Sequence, residues 1–359
     1  MKMKNRILIL IWFSFFFVFS CSEDYDSFPE INSVTLVVNG CITDENGPYR
    51  IRLFEDIAKG HKVVESYPVL DARLSIIDNM GNYDELKPLW EEQIVEFEYE
   101  DNSGNLIRST YLLMPKYDGS YDSLRLQWGI NSIEDYHGIY FTTSTVGKPG
   151  DTYTINISYK NQSYTATDRM PFATALDSVV LRNDGKHLDG KESDTFDVPY
   201  LYFKKPELQE SYFLLTHTKG LWHPIWGVPI PQPQKFEEIL LNSIQRKGET
   251  WLYDVVSDRF MSSYVSGFKL TGATSDPKYT GTDEGFFDGF DRWTYADFYL
   301  VSVSREACLY FQALSDQFYQ DGGAFSPAPA TPPTNLSNGA QGFFMAAAVD
   351  QKRVVRDIF

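Results

Sequence analysis

Apolar and polar residues alternate with period two through the first half of the chain. Val34, Leu36 and Val38 fall on one face, with Thr35, Val37 and Asn39 on the other. Asp44-Glu45-Asn46-Gly47-Pro48 reads as a turn, and Tyr49, Ile51 and Leu53 then alternate with Arg50 and Arg52. Further strands are predicted at 72–77, 95–100, 106–114, 124–128, 152–159 and 164–168, with Lys160-Asn161-Gln162 turning one strand back on the next. Alternation of this kind buries one face of each strand and leaves the other wet.

Beyond Met170-Pro171-Phe172 the pattern changes. Strands are predicted at 177–182, 200–204 and 212–218, and two stretches switch to helical spacing. Phe236, Ile239, Leu240 and Ile244 share one helix face, and Gly248 stops the run. Ala307, Phe311, Leu314 and Phe318 do the same, with Ser304 placed to cap the start and Asp321-Gly322-Gly323 to end it. A Pro- and Ala-rich loop then leads to a last apolar strand at 342–349. The expected architecture is mainly β: two tandem immunoglobulin-like or fibronectin-like β-sandwich domains, the second with one or two helices. The boundaries read as 33–172 for an N-terminal β-sandwich and 173–359 for a C-terminal β-rich domain.

The first 21 residues follow a different logic. Lys2, Lys4 and Arg6 precede a 13-residue apolar run from Ile7 to Phe19, then Ser20 and Cys21. The run is too short for a membrane-spanning helix, which needs about 20 apolar residues, and suits a signal peptide over residues 1–20. An ordinary secretory signal also fits cleavage after Ser20. Cys21 at the cleavage point, followed by an acidic stretch at 21–32 (Glu23, Asp24, Asp26, Glu30), favours a lipoprotein whose acylated Cys21 anchors it to a lipid bilayer through a short tether.

Composition narrows the function further. The 359 residues carry a formal charge of −17, and loss of the three leader cations takes the mature chain to −20. Such a chain repels phosphate backbones, so nucleic acid is not an expected partner. Apolar residues make up 43% and aromatics 16%, enough to build buried cores. Besides Cys21, only Cys41 and Cys308 remain, and two buried free thiols are preferred over a disulfide.

Several stretches, taken in order, resemble a Bacteroidota lipoprotein family known as domain of unknown function 4249. They are the lipobox with Cys21, Val37-Val38-Asn39-Gly40-Cys41-Ile42-Thr43-Asp44, and Gly147-Lys148-Pro149-Gly150-Asp151-Thr152-Tyr153-Thr154-Ile155. Arg169-Met170-Pro171, Ala175-Leu176-Asp177-Ser178-Val179, and Pro333-Thr334-Asn335-Leu336 with Gly342-Phe343-Phe344 follow. The resemblance implies a secreted, anchored, two-domain β-rich protein, often encoded beside outer-membrane uptake systems. It implies no activity and no catalytic residues. The segment from Asn82 to Gln93 departs from the family's compact pattern and reads as an insertion.

Candidate chemistry is sparse. His61, His137, His187, His217 and His223 form no His-Glu-x-x-His or His-x-His, and no Gly-x-Ser-x-Gly elbow or phosphate loop occurs. No catalytic residue, cofactor or metal is expected. Asp283, Glu284, Asp288 and Asp291 lie among glycines, but their spacing is not that of an EF-hand, and a solvated acidic turn is the preferred reading. The best binding candidate is the proline-stiffened segment 221–234, whose Trp222, His223 and Trp226 would suit a glycan or peptide ligand. Packing of both tryptophans over the second domain's core is the competing reading, and the simpler one.

The expected function is that of a non-enzymatic outer-membrane lipoprotein, facing the cell exterior, accessory to nutrient binding or uptake with a β-barrel transporter. A structural or adhesive surface module is the alternative.

Overall fold

The computed structural model describes residues 32–59, 62–90, 94–100, 106–126, 133–186, 195–206, 210–220, 230–245, 254–270, 295–319 and 331–355. The strands of the first half are β1 (Asn32–Thr43), β2 (Arg50–Lys59), β3 (Lys62–Pro68), β4 (Arg73–Asp78), β5 (Tyr83–Glu85), β6 (Lys87–Pro88), β7 (Ile94–Glu100), β8 (Leu106–Pro115), β9 (Tyr121–Leu126), β10 (Ile139–Phe141), β11 (Thr152–Tyr159) and β12 (Gln162–Arg169). The second half adds β13 (Leu176–Lys186), β14 (Thr195–Lys204), β15 (Tyr212–Gly220), helix α1 (Phe236–Gln245), β16 (Asp254–Ser257), β17 (Tyr264–Lys269), β18 (Tyr295–Val303), helix α2 (Arg305–Tyr319) and β19 (Gln341–Val355).

One nine-stranded sheet organises the molecule, in the order β16-β15-β18-β19-β1-β2-β10-β6, with β3 paired to β2. Its spine is β19, the longest strand. The first half of β19 runs parallel to β1, with Val37 opposite Gln341 and Thr43 opposite Ala347. The second half pairs antiparallel with β18, from Ser302 opposite Ala348 to Tyr295 opposite Val355. The sheet therefore crosses residue 172, joining the first and last strands among the described residues.

The alternation along β19 sorts the cores. Phe344, Ala346 and Ala348 join Val38 and Ile42 against a four-stranded sheet, β12-β11-β4-β5, whose Leu74, Ile76, Tyr153 and Ile155 complete the first core. On the same face, farther along, Phe213, Leu215, Phe298 and Leu300 pack against Leu201, Phe203 and Val265 of a three-stranded sheet, β13-β14-β17. On the opposite face Phe343, Met345 and Ala347 join Cys41, Tyr299 and Val301 beneath the two helices. A final three-stranded sheet, β7-β8-β9, covers the β10 end through Leu112, which packs on Ile139 and Phe141. Truncating one of the fully buried rings, such as Phe344 or Phe298, costs about 3–5 kcal/mol.

Local chemistry sets the ends of the elements. The predicted β11–β12 hairpin turns on Lys160 and Asn161, both at positive φ (46° and 59°), as a two-residue turn requires. Helix α2 is capped as predicted, Ala307 N donating to Ser304 Oγ at 3.1 Å. Helix α1 borrows its cap from a distant turn: Phe236 N donates to Glu45 Oε2 at 2.9 Å. Glu237 and Glu238 in its first turn complement the helix dipole. The stretch read as an insertion supplies β5 and β6, which pair with β4 and β10 and so stitch the four-stranded sheet to the large one. Cys41 and Cys308 are free and buried.

Candidate functional site

The turn after β1 is the structural centre of this end of the molecule. Tyr49 is fully buried, and its hydroxyl donates toward Thr43 O (2.7 Å) and Glu45 O (2.6 Å) while accepting from Gly147 N (3.0 Å). Gly147 cannot carry a side chain: a Cβ there would sit 1.8 Å from Thr43 O. Tyr153, the next aromatic of that loop, takes Lys148 N (2.7 Å) and gives its own proton to Val146 O (3.2 Å). Thr43, Gly147, Lys148 and Tyr153, all in stretches that carry the family resemblance, thus hold backbone turns together.

Asp84 locks the neighbouring loop. It lies buried and accepts from Thr143 N (3.0 Å), Thr143 Oγ1 (2.5 Å), Ser144 N (2.9 Å), Thr145 N (2.8 Å) and Thr145 Oγ1 (2.7 Å). Burial pushes its carboxyl up, but these hydrogen bonds outweigh burial and leave it below the ordinary carboxylate range.

The locked loop forms one wall of a cleft of about 410 Å³. Pro48, Phe141, Thr142 and Thr143 line one side, Lys87 and Pro88 of β6 a second, and Pro115, Lys116, Tyr117 and Tyr121 of the β8–β9 turn a third. Tyr117 Oη lies 2.6 Å from Thr142 Oγ1 and donates to Thr145 O at 2.6 Å, tying the turn to the wall. A Cβ on Gly47 would lie 2.5 Å from the Tyr117 ring, so a glycine admits that close packing. Tyr121 is 54% exposed and Lys116 lies at the surface, giving the cleft an open, partly aromatic rim. The volume is that of a small-ligand site.

Beside the cleft, under α1, lies a buried ion cluster. Arg50 on β2 hydrogen-bonds Glu238 and approaches Glu237 Oε1 at 3.2 Å, a distance of ion pairing without hydrogen-bond geometry. Glu237 is completely buried, and burial pushes its carboxyl up to about 7 despite Arg50. Burial lowers the proton affinity of Arg50, but the two glutamates more than offset this and hold it above the ordinary guanidinium range. Lys235 donates to Gly47 O at 3.2 Å, fastening the start of α1 to the same turn. This cluster seats a helix: Arg50 holds Glu238 and offsets the charge of Glu237, whose carboxylate oxygens are buried without a hydrogen-bond partner.

The sequence-derived candidates are placed as follows. Cys21, Trp222, His223 and Trp226 lie outside the described residues, as does the acidic stretch 281–291. The residues bordering 221–229 are described: β15 ends at Gly220, and the run after Ile230 is held by Arg353 Nη1 to Pro231 O (2.6 Å) and Tyr299 Oη to Gln234 O (2.8 Å). His217 is buried, stacked 6.0 Å from Phe298, and His137 sits edge-on to Trp90. Sequence reading missed the cleft. Its only signal was a pair of mirrored dipeptides, Lys87-Pro88 and Pro115-Lys116, in a chain otherwise rich in acid.

Among the described residues no group of three His, Cys, Asp or Glu side chains could hold a metal ion, and no helix is long and apolar enough to cross a membrane. A family model described as Domain of unknown function (DUF4249) matches residues 23–353. Neither a curated protein nor a solved structure matches the chain.

Proposed function

The chain belongs to the DUF4249 family, and from there we propose that it is a lipid-anchored outer-membrane protein that displays a binding cleft on the cell exterior, as a non-enzymatic accessory to nutrient uptake through a β-barrel transporter. The observation that carries this reading is the direction of β1. The strand starts at Asn32, directly after the acidic tether, and ends at Thr43, five residues before the Pro48 wall of the cleft. Twelve extended residues span about 40 Å. The chain enters the fold at the Asn32 end of this strand and the cleft lies beyond its other end, so a lipid anchor reached from the Asn32 end would favour a cleft directed away from the bilayer.

The charged clusters support binding rather than chemistry. Asp84 and the Arg50–Glu237–Glu238 group are committed to holding loops and a helix in place. Three prolines and a locked loop make a preformed wall, which loses little entropy when a ligand arrives.

The test is co-purification. A C-terminally tagged chain, extracted gently from the outer membrane, is expected to bring down a large β-barrel protein in near-equal amount. Recovery of the chain alone would overturn the accessory role and favour a free-standing adhesive module.

A further inference from the structure

We propose that helix α1 is a proton-sensitive strap on the wall of the cleft: it stays docked over the turn after β1 while Glu237 is neutral, and lifts from it as Glu237 gives up its proton.

The strap is fastened at three points, two of which lead to the cleft. Phe236 N donates to Glu45 Oε2 (2.9 Å), capping the helix from the turn. Lys235 Nζ donates to Gly47 O (3.2 Å), next to the Pro48 wall. Arg50, which holds Glu238, also points Nη1 at Met114 Sδ (3.9 Å), beside the Pro115 wall.

Glu237 is the weak point of this seat. It lies in the first turn of α1, completely buried, and neither carboxylate oxygen has a hydrogen-bond partner. Arg50, 3.2 Å away, is shared with Glu238. A carboxylate so placed loses its hydration and gains only part of a compensating charge, so the neutral form suits the docked helix. Lifting the helix returns the group to water, where it ionises freely. Burial accordingly pushes Glu237 up to about 7, with Arg50 and Lys235 opposing the shift and Glu238 adding to it.

The groups on the neighbouring elements do not mimic this titration. Cys41 on β1, Tyr117 in the β8–β9 turn and Tyr299 on β18 are all raised by burial and stay neutral near pH 7. Arg50 on β2, held above its ordinary range, stays charged. Burial also raises Glu45, against the hydrogen bond from Phe236 N that lowers it. The docked helix therefore keeps a proton on Glu237 that the lifted helix loses. Docking weakens as pH rises towards 7 and levels off above it.

The experiment is hydrogen exchange of the full mature chain in detergent at pH 6 and pH 8, read by mass spectrometry and corrected for the intrinsic pH dependence of exchange. Protection of the α1 amides, residues 239–245, should fall about tenfold between the two, and the turn amides 45–47 should follow. Low urea should leave α1 exchange unchanged while hastening that of β11, because the strap lifts locally. In Glu237→Gln, which cannot ionise, the fall in α1 should vanish. Constant α1 protection, α1 exchange as sensitive to urea as that of β11, a turn that does not follow, or a fall that persists in Glu237→Gln would each overturn the proposal. The first three outcomes are read on the native chain alone, so they decide even if the variant does not fold.

Discussion

The backbone N–H of Ala346 on β19 donates to the Asp168 carboxylate at the end of β12, at 2.9 Å. Ala346 lies where β19 has β1 on one edge and no strand yet on the other. Asn335 completes the same edge two residues earlier, accepting from Phe344 N (3.1 Å) and donating to Phe344 O (2.7 Å). Past the end of β1, Asp44 takes over on the opposite edge, accepting from Val349 N at 2.8 Å. Three side chains thus replace missing strand partners along a buried strand, where an unpaired N–H would cost about 1–3 kcal/mol.

Asp168 makes stability depend on pH. Burial pushes its carboxyl up to about 7, against hydrogen bonds from Ala346 and Ser304 that lower it. The folded form then keeps a proton, between about pH 4 and 7, that the unfolded chain has lost, so stability falls as pH rises through that window and levels off above it. Each such group contributes a slope of up to about 1.4 kcal/mol per pH unit, and Glu237, also near 7, adds to it. Asp84 acts oppositely, losing stabilisation only as pH drops below about 4. Urea unfolding across pH 5–8 should show the decline, and Asp168→Asn should flatten part of it.

Arg50 and Glu237 should behave unequally when removed. Arg50→Met strips the buried Glu237 of its compensating cation, so its carboxyl must stay buried uncompensated or take up a proton, at a cost of about 3–5 kcal/mol at pH 8. Glu237→Gln removes the desolvated charge while Glu238 still holds Arg50, so its cost should be under about 1 kcal/mol. Equilibrium unfolding of both variants at pH 8 checks the ordering.

Gly147 and Gly342 should resist substitution for steric reasons. A Cβ at Gly342 would lie 2.1 Å from Val38 O, at a φ of +87°. Alanine at either glycine should cost about 2–4 kcal/mol, read as a drop in melting temperature. Gly81 also has positive φ, but no atom lies within 4 Å of the Cβ position, so its alanine variant should cost less.

Cys41 and Cys308 should behave as inert thiols. Burial raises both, Cys308 to about 11, and nearby acids raise Cys41 further. Neither should react with a thiol reagent until the chain unfolds, and reductant should leave the melting temperature unchanged.

Much of this architecture could be read from local pattern. The alternating strands β1, β2, β4, β7, β8, β11 and β12, the Ser304 cap and the helical stripe beginning at Phe236 all carry their signal within a few residues. The central strand β18 was invisible for a physical reason: from Ala296 to Val303 it is buried on both faces and shows no alternation. The pairing of β1 with β19 joins residues about 300 apart, which no local pattern encodes. The cleft escaped because it is assembled from four separate stretches whose residues are ordinary singly. The tryptophans at 222 and 226 stood out only because tryptophan is conspicuous in a proline-rich run.

The most direct test of the account is the mass and location of the mature N-terminus. The account predicts that the native chain partitions with the outer membrane, begins at Cys21, carries acyl chains on that residue, and turns soluble when Cys21→Ala is introduced. A soluble native chain with an unmodified N-terminus would contradict it.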